Sequence, residues 1–168
     1  MQCGLVPFWE KSEKPKFAPI NARSEDIMGK VMFKQSVQKR RCLVPADGFF
    51  EWKRLDEKTK IPHFIIRKNR EPFFIAGIYE AATATRPETY ALLTTGPNEL
   101  MREIHDRMPL ILPREKARRW VRPGAVSSEV VAGLCVPLPA AEMRAYPVSM
   151  IVNNARNDVP ECVEPVMG

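Results

Sequence analysis

Short runs of apolar residues alternate with polar ones along most of the chain, which is the pattern of β-strands. The predicted strands cover residues 41–45, 49–53, 61–67, 72–79, 89–95, 108–112 and 145–149. Turn-forming residues separate many of these neighbours, and the chain bends between the first two strands at residues 45–48. We therefore expect consecutive strands to pair mainly in the antiparallel sense.

Four shorter stretches carry helix signals, at residues 32–38, 97–104, 113–121 and 127–134. Proline opens the second and third of these stretches, and serine opens the fourth. The elements together predict an α+β class. We expect a mainly antiparallel sheet that curls like a barrel, a few short flanking helices, and a single domain over residues 1–168.

The composition is typical of a globular protein, with 45% hydrophobic and 27% charged residues in a chain of 168. No apolar run approaches the roughly 18 residues needed to cross a bilayer, and the first residues lack a secretion signal. The four cysteines are scattered without paired spacing, which is typical of a reducing compartment. The sequence therefore predicts a cytoplasmic protein with no membrane attachment.

The sequence lacks the common templates for metal, phosphate and serine chemistry. The two histidines stand far apart, and there is no paired-cysteine motif, Gly-rich phosphate loop or Gly-x-Ser-x-Gly elbow. We therefore predict neither a metal site nor a cofactor. The formal net charge of +6 favours a polyanionic partner without identifying one.

Glu51 is a carboxylate inside the aromatic-rich predicted strand at residues 49–53. Strand alternation places it on the same face as Phe49, with Phe50 and Trp52 on the opposite face. If its face is dry, the pKa of Glu51 rises and the carboxyl can act as an acid or base near neutral pH. The alternative is an exposed strand glutamate.

An imidazole, a carboxylate and a guanidinium follow one another at His105, Asp106 and Arg107, where a predicted helix meets a predicted strand. Functional sites are often built at such joints. The alternative is a histidine that caps the helix end beside a surface ion pair. Residues 20–25 also combine an amide, a guanidinium and a carboxylate, although alone they favour the start of a helix over a site.

Taken in order, five motifs resemble the SOS-response-associated peptidase (SRAP) family, which includes proteins that crosslink to abasic sites in single-stranded DNA. The most specific pieces are Gly-Phe-Phe-Glu-Trp at residues 48–52 and His-Asp-Arg-Met-Pro at residues 105–109. The matching stretches are residues 4–9, 20–25, 41–52, 105–112, and 146–149 with 152–153. They span nearly the whole chain.

The resemblance implies a cysteine nucleophile at the mature N-terminus. Its α-amine would condense with the aldehyde of a ring-opened abasic sugar, and its thiol would close the adduct into a thiazolidine; autoproteolysis is implied as well. By position, the family's catalytic asparagine, glutamate and histidine fall on Asn21, Glu51 and His105. Asn21 would orient the amine, and Glu51 and His105 would move protons.

The resemblance also implies contacts with single-stranded DNA that carries abasic sites, and it points to no protein partner. Arg23 and Arg107 match arginines that hold phosphates, and Phe8 with Trp9 matches aromatics that support an unstacked base. Thr94 falls where the family has a threonine close to the site.

The start of the chain departs from the family pattern, which opens with Met-Cys-Gly-Arg. Because Gly4 continues directly into residues 5–9, the better alignment places Cys3 and Gly4 on a later family motif. We therefore expect the family's N-terminal segment, with its nucleophile, to be missing and Cys3 to be an ordinary thiol. Three alternatives remain open: covalent capture, non-covalent binding of single-stranded DNA, and an inactive copy or fragment.

Overall fold

The computed structural model describes residues 1–12 and 15–166. Within these residues the chain forms ten strands, four α-helices and three short 3-10 helices. The strands are β1 (Gln2–Cys3), β2 (Asn21–Arg23), β3 (Arg41–Ala46), β4 (Gly48–Arg54), β5 (Lys60–Arg67), β6 (Phe73–Glu80), β7 (Thr89–Thr95), β8 (Met108–Pro109), β9 (Ile111–Leu112) and β10 (Met143–Pro147). The α-helices are α1 (Val31–Lys39), α2 (Glu99–Arg102), α3 (Arg114–Trp120) and α4 (Ser128–Leu134). The predicted α+β class is confirmed.

The chain divides into two compact units. The first unit contains Met1–Pro45, Phe74–Thr95 and Pro109–Pro137. The second unit contains Ala46–Phe73, Gly96–Met108 and the residues from Leu138 onward.

The first unit is built on an open sheet with the strand order β1-β7-β6-β3, where β2 also pairs with β7 and β9 with β6. β1 and β2 both run parallel to β7, whereas β6 is antiparallel to it. Apolar side chains of α1, α3 and α4 pack on this sheet because each helix has one apolar face. The buried core consists of Leu5, Ala22, Ile27, Phe33, Val37, Ala76, Ile78, Ala91, Leu93, Leu110, Leu112, Ala117, Trp120, Val131 and Leu134.

The second unit contains an antiparallel sheet of three strands in the order β10-β5-β4. One face carries an aromatic row, in which the Phe64 ring lies 4.9 Å from Phe50 and 6.0 Å from Tyr146 between ring centroids. Position 48 must be glycine, since a Cβ there would collide with the Phe64 ring. Within the described residues neither sheet closes on itself, so the predicted barrel-like curl is not confirmed.

Three local predictions were wrong. The strand expected at residues 108–112 is split at Leu110, whose N–H donates to Leu93 O of β7 (2.8 Å) while its carbonyl accepts from Ala76 N of β6 (2.9 Å). The helix expected at residues 97–104 is shortened to α2, which Asn98 caps by accepting a hydrogen bond from Met101 N (2.9 Å). Residues 20–25 contain β2 rather than a helix start.

None of the helices in the described part of the chain is long and apolar enough to cross a membrane. The same residues contain no group of three or more His, Cys, Asp or Glu side chains that could hold a metal ion.

Candidate functional site

Glu51 lies in the middle of β4, in the second unit, and its cross-strand neighbour on β5 is His63. The predicted alternation of faces is confirmed, since Phe50 packs on Phe64 while the Phe49 ring lies 6.4 Å from Phe73. Glu51 is half-buried, and its face of the sheet includes the fully buried Ile65. The exposed strand glutamate that the sequence left open is therefore excluded.

Burial raises the pKa of the Glu51 carboxyl above its ordinary value, and the nearby Asp106 charge raises it further. His105 and a hydrogen bond from the Trp52 backbone N–H lower this pKa, each by less than burial raises it and by more than Asp106 does. The electrostatic influence of His105 and Asp106 shows that the loop after α2 lies near Glu51. Two of the three predicted catalytic residues, Glu51 and His105, are thus brought together.

His105 follows the end of α2, where its backbone N–H donates to Met101 O (2.8 Å). Its Nδ1 lies 3.1 Å from the Arg107 backbone N–H, a donor, and 3.2 Å from Asp106 Oδ1, an acceptor. Nδ1 can therefore accept a hydrogen bond from Arg107 N–H when it carries no proton, and it can donate one to Asp106 Oδ1 when it does. This suits a group that exchanges protons. The contact between His105 and Asp106 lies at the surface, and it coexists with the effect of His105 on Glu51.

The indole of Trp52 ties the strand that carries Glu51 to the C-terminal motif. Its Nε1–H donates to Asn153 Oδ1 (2.8 Å), at the end of the 3-10 helix Met150–Asn153. Two motifs that are about a hundred residues apart in the sequence therefore meet in space. This bond fixes the side chain next to Glu51 and limits the movement of β4.

In the first unit, Asn21, Arg23 and Thr94 lie along one face of neighbouring strands. The register places Arg23 beside Thr94, and Asn21 beside Leu92. Ala22 points to the opposite side and is buried, so the side chains of Asn21 and Arg23 are exposed. Three predicted site residues are thus brought together on this face.

Phe8 and Trp9 form an exposed aromatic pair in the first unit. Their ring centroids lie 4.9 Å apart with an edge-to-face angle of 84°, and the two residues are 56% and 44% exposed. Rings this large are usually buried, so their exposure provides a surface on which another flat group can stack.

Cys3 lies inside β1, where its backbone pairs with Tyr90 of β7. Its side chain also hydrogen-bonds Tyr90, whose pKa is raised by burial and then by this thiol. The backbone nitrogen of Cys3 is a strand amide, and Gly4 N continues the pairing by donating to Tyr90 O (3.0 Å). The nitrogen of Cys3 is therefore not a free α-amine.

We expect Glu51→Gln to raise the free energy of unfolding at pH 7.5 and to leave it nearly unchanged at pH 3.5. A raised pKa in the folded state means that folding is opposed when Glu51 ionises, so the cost is present above that pKa and absent when both states are protonated. Urea unfolding at the two pH values measures the difference.

Asp56→Asn is the control, because hydrogen bonds from Lys58 N and Thr59 N (2.8 Å each) lower the pKa of Asp56. That stabilisation is present above the unfolded pKa and is lost as pH falls, so this variant should be less stable at pH 7.5. A Glu51→Gln effect of the same sign as the control would contradict the raised pKa.

Sequence reasoning missed two contributors to this site. Asp106 was noted only as part of a motif, yet it raises the pKa of Glu51. His63 received no role, although it is the cross-strand neighbour of Glu51 and its Nδ1 lies 3.0 Å from Ile61 O. The antiparallel register of β4 and β5 places His63 directly opposite Glu51, and this register was the signal that could have found it.

The fold is mixed α+β, and its candidate site holds a half-buried carboxyl near a histidine. A family model described as SOS response associated peptidase (SRAP) matches residues 1–155, and the chain belongs to this family.

Its relatives include abasic site processing protein YoqW of Bacillus subtilis, which is 42% identical over 98% of this chain and 75% of its own length. Abasic site processing protein YedK of Escherichia coli is 38% identical over 97% of this chain and 72% of its own length. Among solved structures, a protein from Bacteroides thetaiotaomicron superposes with a TM-score of 0.88 at 33% identity, covering 98% of this chain and 75% of that one.

Proposed function

We propose that this protein processes abasic sites in single-stranded DNA and captures them as covalent thiazolidine adducts. The observation that carries the proposal is the half-buried Glu51 carboxyl, whose raised pKa responds to His105. The names of the relatives, abasic site processing proteins, support the choice of substrate.

The proposed capture has two covalent steps. The α-amine of an N-terminal cysteine attacks the aldehyde carbon of a ring-opened abasic sugar, and the resulting carbinolamine loses water to give an imine. The thiol then adds to the imine carbon and transfers its proton to nitrogen, which closes the thiazolidine. We also propose autoproteolysis, in which hydrolysis of the peptide bond before the cysteine releases a short propeptide and frees the α-amine that captures the sugar.

Glu51 and His105 divide the proton transfers between them. Because its pKa is raised, Glu51 keeps a proton to higher pH than an ordinary carboxyl and can protonate the departing hydroxyl. His105 can accept a proton from the attacking amine, since Nδ1 faces both a donor and an acceptor. Asn21, exposed on β2, orients the amine by hydrogen bonding.

The DNA strand is held by groups that need no covalent chemistry. Arg23 and Arg107 bind phosphates, and a base next to the abasic site stacks on Phe8 and Trp9. Thr94 flanks Arg23 in register. The exposure of the aromatic pair supports an unstacked single strand over a duplex. We also propose a cytoplasmic location, because the scattered cysteines are typical of a reducing compartment.

The test is the intact mass of the protein after incubation with a single-stranded oligonucleotide that carries one abasic site. Two proteins are compared: the chain as printed, and the chain preceded by a segment that begins Met-Cys-Gly-Arg. We expect a protein-plus-DNA mass when a cysteine has a free α-amine. An oligonucleotide with a tetrahydrofuran abasic analogue, which has no aldehyde, is the control and should give none. Absence of an adduct from both proteins would overturn covalent capture.

A second candidate is non-covalent binding of single-stranded DNA. It is favoured by the exposed pair Phe8 and Trp9 and by the exposed Arg23, which can contact a DNA strand without a covalent nucleophile. Steeply salt-dependent binding without an adduct would support it, because phosphate contacts release counterions. A lack of affinity at about 50 mM salt would exclude it.

A further inference from the structure

A cavity of about 170 Å³ in the first unit lies apart from the predicted site residues on β2 and β7. The loop from β6 to β7 forms one wall, and Phe8 forms part of another. Two arginines, Arg40 and Arg86, and one acidic residue, Glu80, line it. Its volume suits a phosphate group better than a drug-sized ligand, whose pockets are larger.

The negative charge in this cavity is already neutralised. Glu80 is almost fully buried, and its Oε1 accepts hydrogen bonds from Arg40 Nη2 (2.8 Å) and from the Ser36 hydroxyl. Arg40 is held further by Tyr79 O, which accepts from its Nε (3.2 Å). A buried ion pair with these additional hydrogen bonds has no net charge. The Arg40–Glu80 pair therefore neither attracts nor strongly repels an anion.

Arg86 is different, because it makes no salt bridge within the described residues. Its Nη1 is buried and has no hydrogen-bond partner there. A guanidinium left unsatisfied in this way costs free energy, which an anionic acceptor would recover. Arg86 therefore supplies the cavity with an uncompensated positive charge.

The backbone around Arg86 is held in place. Arg86 N donates to Thr83 Oγ1 (3.1 Å), and Thr83 N donates to Arg86 O (2.9 Å). The loop therefore presents the side chain from a fixed turn, so that only the guanidinium has to rotate to meet a ligand.

Phe8 connects the cavity to the exposed aromatic pair. It lines the cavity and also packs edge-to-face against Trp9. A nucleotide whose base stacks on this pair carries its phosphate a few ångströms from the base. The cavity beside Phe8 is therefore in position to receive that phosphate.

We propose that this cavity is a phosphate site, in which Arg86 binds the backbone phosphate of the nucleotide that stacks on Phe8 and Trp9. This inference rests on the proposed DNA function and adds a contact that the family motifs do not include. Arg40 and Glu80 form the rigid floor of the site.

The test measures the binding of a fluorescent single-stranded oligonucleotide by anisotropy across a range of salt concentrations. For Arg86→Gln we expect about tenfold weaker binding and a salt slope smaller by about 0.7, the value of one phosphate contact on a single strand. The control is Arg118→Gln, which removes an exposed charge on α3 and should change neither quantity. Arg86→Lys keeps the charge but loses the fork, and should keep the salt slope with weaker binding.

A second arm replaces single phosphates of the oligonucleotide with neutral methylphosphonates. At one position the replacement should weaken binding by the wild-type protein about tenfold and have little further effect on Arg86→Gln. Equal effects in both proteins at every position would overturn the proposal, as would equal binding by Arg86→Gln and Arg118→Gln. Removal of one base, rather than of one phosphate charge, could weaken binding by the wild-type protein and have little effect on Arg86→Gln. In that case the cavity holds a base and the proposal fails.

Arg23→Gln separates this inference from the proposed function. If Arg23→Gln weakens binding while Arg86→Gln does not, only the phosphate site is wrong. If the wild-type protein does not bind single-stranded DNA at about 50 mM salt, both are wrong. Matching urea midpoints for all variants show that they are folded.

Discussion

Glu51→Gln is expected to slow formation of the covalent abasic-site adduct by about 100-fold or more in a protein that carries the N-terminal cysteine. Glutamine has nearly the same shape but cannot donate or accept a proton in the reaction. In the proposed mechanism the protonated carboxyl is the reactive form, and burial, which raises the pKa of Glu51, extends this form to higher pH. The rate of the wild-type protein should therefore fall as pH rises through the pKa of Glu51, and the variant should lose this part of the profile.

Single-turnover rates of adduct formation, measured by gel shift from pH 4.5 to pH 9, provide the test. Glu57→Gln is the matched control, since Glu57 is an exposed residue in the turn that follows β4. His105→Ala should slow the reaction by a similar factor, because the variant loses the proposed proton acceptor. Unchanged rates in both Glu51→Gln and His105→Ala would show that the proton-transfer roles are assigned to the wrong residues.

Trp120→Ala is expected to destabilise the protein by about 3–5 kcal/mol, the largest loss from any single change considered. Trp120 is fully buried at the end of α3, and its Nε1–H donates to the carbonyls of Cys42 and Gly77 (3.1 Å each). Alanine would leave a large cavity and two carbonyls without this donor. Since proteins of this size are stable by about 5–15 kcal/mol, much of the folded state would be lost near 37 °C.

Urea unfolding followed by circular dichroism measures this loss, and two variants separate its causes. Trp120→Phe keeps most of the ring and loses the N–H, so it should cost about 1–2 kcal/mol. Trp9→Ala removes an exposed indole and should leave stability within about 0.5 kcal/mol while it weakens DNA binding. A large stability loss in Trp9→Ala would mean that the indole packs against the protein and is not available to stack on a base.

The strands with clear alternation were predictable from the sequence, and so was the placement of Glu51. β7 was predicted with its observed bounds because every second side chain is buried, and β5 was predicted to within one residue because turn-forming residues follow its apolar run. β1 and β2 were not predicted, since strands of two and three residues are too short to show an alternation of apolar and polar side chains. They exist because β7 offers an open edge, which is a tertiary effect.

The candidate site was predictable residue by residue but not in its arrangement. The resemblance to the SRAP family supplied Asn21, Glu51 and His105, whereas the effect of Asp106 on Glu51 depends on a loop folding back toward β4. Arg86 stands in a loop without any motif. Its buried Nη1 without a hydrogen bond and its place in the cavity beside Phe8 distinguish it, and the sequence shows neither.

The parallel pairing of β1 and β2 with β7 has a consequence for the order of events during synthesis. Within the described residues these two strands find their sheet partner only in β7, and the bond from Val6 N to Thr89 Oγ1 spans 83 residues. β1 and β2 therefore stay unpaired until β7 has been synthesised. Phe8 and Trp9 lie between these two strands, and Asn21 and Arg23 lie in β2, so the proposed DNA surface of the first unit cannot form before β7 is available.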